Sequence, residues 1–394
     1  MLPSMPARAR PIALAFAVHG MIIGSYFPRL AEIQLGIGLT EREFGLSLVG
    51  APLGAFTAFL FLSRFVEKIG TRRVLMFGLP VWSAFHITAS LAWNAPSLFM
   101  LLSLAGMAFA FANTAVNVEA DRMENHLGQR VMNRCHAVWS VGFLASSLAA
   151  TAITAAGLAP AWHFTIVAAA TAAAMALIGM AMEAAPPRPH ARTRAASRFV
   201  LPTRSTAMLF AFVLAGVWLD AGSRQWSVIY LRDTFGAVDW VATLTLPAMM
   251  VAQIGIRLFT DALIERAGIV RLARVLMATA LAGLVLVVLS VSIPVSLLGF
   301  LMIGLGVGPT MPMTLSAAAG LGDRPSSENV ASVSLQQTML MFMTPPLMGL
   351  VAGAFGIAAA FAIILPFPLL SIWLAKSLER GAAVPLPAAG PPTP

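Results

Sequence analysis

Twelve stretches of this chain are each long and apolar enough to cross a lipid bilayer, and that leaves few folds open to it. A hydrocarbon core of about 30 Å is spanned by about 20 residues of helix. The stretches lie near 11–29, 44–63, 74–93, 97–118, 135–157, 161–182, 206–230, 238–258, 272–292, 294–318, 327–351 and 354–377. Hydrophobic residues make up 59% of the chain and charged residues only 10%. A water-soluble domain carries about 25% charged residues. The expectation is an all-α membrane protein with twelve transmembrane helices.

The net charge of +9 is unevenly distributed. If the N-terminus is cytoplasmic, all but four of the 25 Lys and Arg residues, Arg257 among them, fall on the cytoplasmic side. The four are Arg29, Arg42, Arg224 and Arg232. This positive-inside bias places both termini in the cytoplasm. It accounts for the basic charge through the lipid bilayer as partner, with no nucleic acid. Cys135 stands alone, so neither a disulfide framework nor a Cys-based metal site is expected. The apolar run after Arg8 and Arg10 continues through His19 to Pro28 without a small-residue cleavage site, and reads as an uncleaved first helix.

The longest polar interruption, 183–204, is rich in Pro and Arg and reads as a cytoplasmic linker. It separates an N-terminal six-helix bundle, 1–182, from a C-terminal one, 205–380. The Pro- and Ala-rich 381–394 reads as a disordered cytoplasmic tail. The halves echo each other. Glu67, Lys68, Gly70, Arg72 and Arg73 follow the second stretch; Asp261, Glu265, Arg266, Gly268 and Arg271 follow the eighth. An acid beside a tight turn can pair with bases at neighbouring helix ends and hold one face of a bundle closed. Glu67, Gly70, Arg72, Arg73, Asp261 and Arg266, with Glu119 and Arg122 at the end of the fourth stretch, form a candidate cytoplasmic gate. Plain positive-inside decoration is the alternative.

An ionisable group deep in a membrane span is costly and marks function by default. Asp220 lies about two-thirds of the way through the seventh stretch, with Arg224 one turn on and Gln225 and Trp226 following. It is read as a substrate or coupling group, against a structural pair with Arg224. Asn113 and Asn117 are one turn apart in the fourth stretch, where amides bond another helix or face a wet cavity. His136, Trp139 and Ser140 open the fifth; Trp139 offers an apolar plane and one N–H for stacking on a sugar ring or a cation. His19 sits centrally in the first. Gln336 and Gln337 add amides to the eleventh, which also carries Pro345 and Pro346.

The first loop resembles the signature of the major facilitator superfamily, Gly-x-x-x-Asp-Arg/Lys-x-Gly-x-Arg-Arg, with Ser63 for the Gly and Glu67 for the Asp. The runs Asn113…Asn117…Glu124…Gly128…Asn133…His136…Trp139-Ser140 and Asp220…Trp226-Ser227…Tyr230, with Gly304…Gly308…Pro312 in the tenth stretch, resemble the bacterial fucose-permease-like branch. The resemblance covers roughly 10–380. It implies two bundles rocking about a midplane site, a small polar organic solute with a sugar-like one as the first candidate, and no cofactor. It further implies a monomer in the bacterial inner membrane, with protons as the candidate coupling ion. Acids that the fucose permeases carry in spans one and four fall near His19 and at Asn113 here. Three other functions compete. They are drug or metabolite efflux on the same fold, an uncoupled channel or scaffold, and an intramembrane protease suggested by Gly320-Leu-Gly-Asp323. The last lacks a second aspartate on the same side, and there is no phosphate loop.

Overall fold

The computed structural model describes residues 5–59, 62–183, 185–186 and 201–379. The side chains of Phe59, Leu62, Ser63, Arg64 and Glu67 fall outside that description, as do most of the linker and all of the 381–394 tail. The described chain is helical throughout. α1 is Ala7–Ile37 and α2 comprises Glu41–Leu48, Gly50–Phe59 and Leu62–Ile69. α3 is Thr71–Ser90, α4 Ala95–Leu127, α5 Met132–Ala155 and α6 Pro160–Ala181. α7 is Arg204–Phe235, α8 Asp239–Ala267 and α9 Ile269–Val288. α10 is Ile293–Ala319, α11 Ser326–Phe355 and α12 Ile357–Leu378. Among the described residues, 10 of these helices are long and apolar enough to cross a membrane; α2 and α3 are the two outside that set.

Several helices overrun the apolar stretches. α1 continues to Ile37 rather than ending at Arg29, passing Pro28 in one short 3-10 turn. α4 reaches Leu127, and α8 runs to Ala267, well past 258. Hydropathy reports only the lipid-covered part of a helix. The ends are set by caps: Asn94, Thr203 and Thr40 each accept from the backbone N–H three residues on in a capping box. The two echoed loops fold alike. Gly70 joins α2 to α3 and Gly268 joins α8 to α9, with φ of 88° and 79°. A side chain at either position would be strained.

Helix pairing recurs along the chain. α1 packs on α5, α2 on α4, and α3 on α4 and α6; likewise α7 on α11, α8 on α10, and α9 on α10 and α12. Small residues permit the close approaches, as in membranes generally. A Cβ on Gly54 would lie 1.8 Å from the Ser103 carbonyl oxygen across α2 and α4, and one on Gly304 would lie 2.4 Å from that of Met249 across α8 and α10. One buried apolar cluster lies within residues 5–185. The other occupies the second half and reaches across to Leu30, Phe44, Leu98 and Phe164.

The halves of the chain meet chiefly near connections 38–40, 156–159, 236–238 and 356. Arg232 donates to the Ala31 carbonyl at 2.9 Å and to Gln34 Oε1 at 3.0 Å. Thr243 donates to Thr151 Oγ1 at 2.9 Å. Backbones touch at Gly45 and Gly349, where a Cβ on Gly45 would lie 2.8 Å from Gly349 Cα. Beside them Arg29, fully buried, donates to Thr154 Oγ1 and the Leu158 carbonyl and pairs with Glu32 at 3.1 Å. No contact of similar extent joins the halves at the opposite end, around Gly70 and Gly268, among the described residues.

Gly54→Ala forces α2 off α4 and is expected to cost about 1–3 kcal/mol through overpacking. Gly36→Ala, with nothing within 4 Å of the new methyl, leaves stability unchanged or raises it. Melting of the two purified variants in detergent checks the contrast; equal midpoints would contradict the packing described.

Candidate functional site

Asp220 is fixed by its own helix and by α8. Arg224, one turn on, donates through Nε to Asp220 Oδ2 and through Nη2 to Oδ1, both at 3.0 Å. Gln253 Nε2 donates to Oδ1 at 2.7 Å, and the Gln253 carbonyl oxygen accepts from Arg224 Nη2 at 3.2 Å. The carboxylate thus receives three N–H donors, which consume most of its accepting capacity. Arg224 also reaches across the molecule, its guanidinium carbon 4.9 Å from the centre of the Phe143 ring on α5.

One turn beyond Gln253 stands Arg257. The sequence reading counted it among the cytoplasmic bases, because the apolar run ends near it. In the structure α8 continues for ten more residues, and Arg257, exposed, lines a recess with Asp220, Gly308, Thr310, Gln337 and Met341. Its Nε donates to the Gly308 carbonyl oxygen at 2.8 Å. That carbonyl is free for a local reason. Its helical partner would be the N–H of residue 312, which is Pro312 and has none. The break between Ile293–Val307 and Thr310–Ala319 therefore supplies the acceptor that aims Arg257. Gln253 and Arg257 were not among the expected site residues. Their i,i+4 spacing in a mostly apolar run was the available signal.

From the first half, α5 approaches this recess, with Phe143 against Arg224 and His136 within electrostatic reach of Arg257. Trp139 Nε1 donates to His19 Nδ1 at 2.9 Å. An indole N–H can only donate, so His19 carries its proton on Nε2. His19 is buried among Trp82 and Phe109, with ring centres 4.9 and 5.6 Å away, and lies behind Trp139 rather than open to a cavity. His136 is exposed, its ring edge-on to Phe16 at 5.1 Å, and it lies within electrostatic reach of Arg257. Ser140 is buried and donates to the His136 carbonyl at 3.1 Å. Asn117 Nδ2 donates to the Asn113 backbone carbonyl at 2.8 Å, so one donor of this amide pair is taken up along its own helix.

Other expected residues sit elsewhere. Trp226 is fully buried, edge-on to Phe44 at 5.9 Å, and does not open onto the recess. The Gln225 side-chain oxygen Oε1 is buried and makes no hydrogen bond among the described residues. Gln336 donates to the Ser332 carbonyl at 3.2 Å. Gln337 lines the recess, and its amide has no hydrogen bond among the described residues.

The gate residues are bonded within the first half. Arg72 donates to the Gly179 carbonyl at 2.9 Å. Glu119, fully buried, accepts from Thr71 Oγ1 and from the Ala185 N–H. Arg122 is half-buried, while Arg73, Asp261 and Arg266 are exposed. Glu67 lies outside the described side chains. Among the described residues no bond of this group joins the halves. Asp323 lies in the turn before α11 and accepts from Asn329 at 2.8 Å.

A family model described as Major Facilitator Superfamily matches residues 12–340. An uncharacterized transporter, y4wD, of Sinorhizobium fredii is 27% identical over 372 residues, covering 94% of this chain and 98% of that protein. Among solved structures, a bacterial homologue of the human lysosomal transporter Spinster, inward-facing and occupied, superposes with a TM-score of 0.76 at 12% identity. The match covers 96% of this chain and 98% of that one. A mutant form of the nucleoside transporter NupG gives 0.73 at 14% identity, over 94% and 98% of the two chains.

Asp220→Asn removes the counter-charge of a mostly buried Arg224, which is 14% exposed. The expected loss is about 1–3 kcal/mol. Asp220→Asn with Arg224→Gln together is expected to be the more stable protein, because Arg224 is then no longer left as a mostly buried charge without its partner. Thermal unfolding of both checks the order; a less stable double variant would refute the paired-charge account.

Proposed function

Because this chain belongs to the Major Facilitator Superfamily, we propose that it is a secondary transporter moving a small polar organic solute across the bacterial inner membrane by alternating access. In this reading α2 and α3 are also crossings, giving twelve. Residues 1–182 and 205–380 form two bundles, joined by 183–204, that tilt about the recess at Asp220 and Arg257. The observation that carries the reading is the cluster of Asp220, Arg224 and Arg257 with the Gln253 amide, set on two helices apolar enough to cross a membrane and open on one side to a cleft. Charge at that depth is retained for a purpose.

The distribution of Lys and Arg puts 183–204 and both termini in the cytoplasm. The end closed by Arg232, Thr243 and Gly45–Gly349 is then the outer one, and the conformation is inward-facing. A closed outer end favours a transporter over an open channel. The gate residues Gly70, Arg72, Arg73, Glu119, Arg122, Asp261 and Arg266, with Glu67, would meet across the cytoplasmic end in the opposite state. Efflux on the same fold is the second reading, supported by the 22 Met and 24 Phe residues that can line an adaptable apolar cavity.

Purified protein in liposomes should accumulate its solute, and an imposed pH gradient separates proton coupling from uniport. Asp220→Asn leaves Arg224 without its counter-charge and disorders the recess, and should lower uptake about tenfold, the equivalent of about 1.4 kcal/mol. Unchanged uptake would remove Asp220 from the transport site. Arg232→Ala removes two ties at the closed end. Spin labels on Leu35 and Phe355 should then report a longer-distance population; an unchanged distribution would show that Arg232 does not hold that end.

A further inference from the structure

We infer that the transported solute carries an anionic group, a carboxylate of a small organic acid, and that Arg257 is the residue that binds it. The inference rests on the transporter reading above and names the substrate class of that same recess.

The argument is a charge count on the cleft walls. Asp220 supplies one negative charge, and Arg224 cancels it through a two-pronged pair at 3.0 Å. The Gln253 amide takes more of the carboxylate's accepting capacity at 2.7 Å. Little of Asp220 is left to attract a cation or to accept from a hydroxyl. Arg257 is a second positive charge, and among the described residues no carboxylate oxygen lies within 4 Å of it. His136, the titratable group facing it from α5, can add positive charge but no negative charge. The recess therefore has an uncompensated cation.

Geometry makes that cation a binding group and not a stray surface arginine. Arg257 Nε is held by the Gly308 carbonyl, so the guanidinium plane is fixed and its Nη groups remain for a partner. A fixed guanidinium matches the two oxygens of a carboxylate. The Gln337 amide, on the same recess and without a hydrogen bond among the described residues, is a second donor for the same oxygens or for a neighbouring hydroxyl. Arg257 is exposed to the recess, so a neutral sugar must displace water from a hydrated guanidinium and supplies no charge to offset that loss. An anion supplies that charge.

The test uses full-length protein in detergent and a panel of matched probes: glucuronate, glucose and glucosamine; lactate, glycerol and ethanolamine; succinate; and sodium sulfate as the inorganic control. Thermal shift is measured across the panel for wild type, Arg257→Gln and Arg257→Lys, and a charge-fractionated bacterial metabolite extract extends it. The expected result is stabilisation by an organic acid or by the acidic fraction only. Arg257→Gln should raise the half-saturating concentration roughly tenfold or more, with partial recovery in Arg257→Lys. Stabilisation by a neutral or cationic probe, an equal shift with sulfate, or an acid-induced shift that survives Arg257→Gln would overturn the anion assignment while leaving transport intact. No shift with any probe or fraction would overturn the assignment together with the solute-transport reading. The melting of ligand-free Arg257→Gln distinguishes a folding defect from lost binding, and a variant that melts like wild type yet still binds acids refutes the role of Arg257.

Discussion

Hydrocarbon offers a peptide group no hydrogen bond, so every N–H and C=O that crosses the bilayer must find its partner inside the protein. That single constraint makes the described chain helical throughout. It also singles out the places where a helix cannot satisfy itself. The tenth helix breaks at Gly308 and Pro309, and Pro312 deprives the Gly308 carbonyl of its usual donor. The vacancy is filled by a side chain from a neighbouring helix, Arg257. A backbone defect and a charged group that would each be expensive alone become tolerable together. Their meeting point is the recess where Asp220 also lies.

The same economy shapes the helix contacts. Lipid tails compete well with apolar side chains, so helices associate by backbone approach at small residues instead of by burying more Leu or Phe. Gly20 and Gly142 between α1 and α5, Gly54 and Gly106 between α2 and α4, and Gly304 between α8 and α10 serve this purpose. At the closed end the halves meet through Gly45 and Gly349 and through a few directional bonds from Arg232 and Thr243. Such contacts are specific but few.

Polar groups buried beside the site divide by what they touch. His19 serves Trp139, holding the indole edge, and its own remaining nitrogen has no partner. Trp226 packs into the closed end and belongs to the seal between the halves. The arrangement places aromatic side chains on the α5 wall, at Trp139 and Phe143, and ionised ones on the α7–α8 wall. A solute with one apolar and one charged face would meet complementary surfaces on both.

The helical membrane class, the approximate helix positions, the paired loop turns at Gly70 and Gly268, and the Asp220–Arg224 pair were all legible in the residues, because each depends on local spacing or on hydropathy summed over a short window. Their partners were not. The eighth apolar stretch stopped one residue past Arg257 and left that residue at its boundary; α8 runs on because its polar end still forms good helix, and the neighbouring Gly308 carbonyl holds Arg257 on the recess. His19 and Trp226 carried the right chemistry for a cavity, yet which face of a helix meets solvent, lipid or another helix is fixed by contacts between residues more than a hundred positions apart. Sequence by itself determined that the chain must cross the bilayer as helices and where charge would be costly. Tertiary packing alone decided which of those charges are neutralised, and that Arg257 is left facing the cleft.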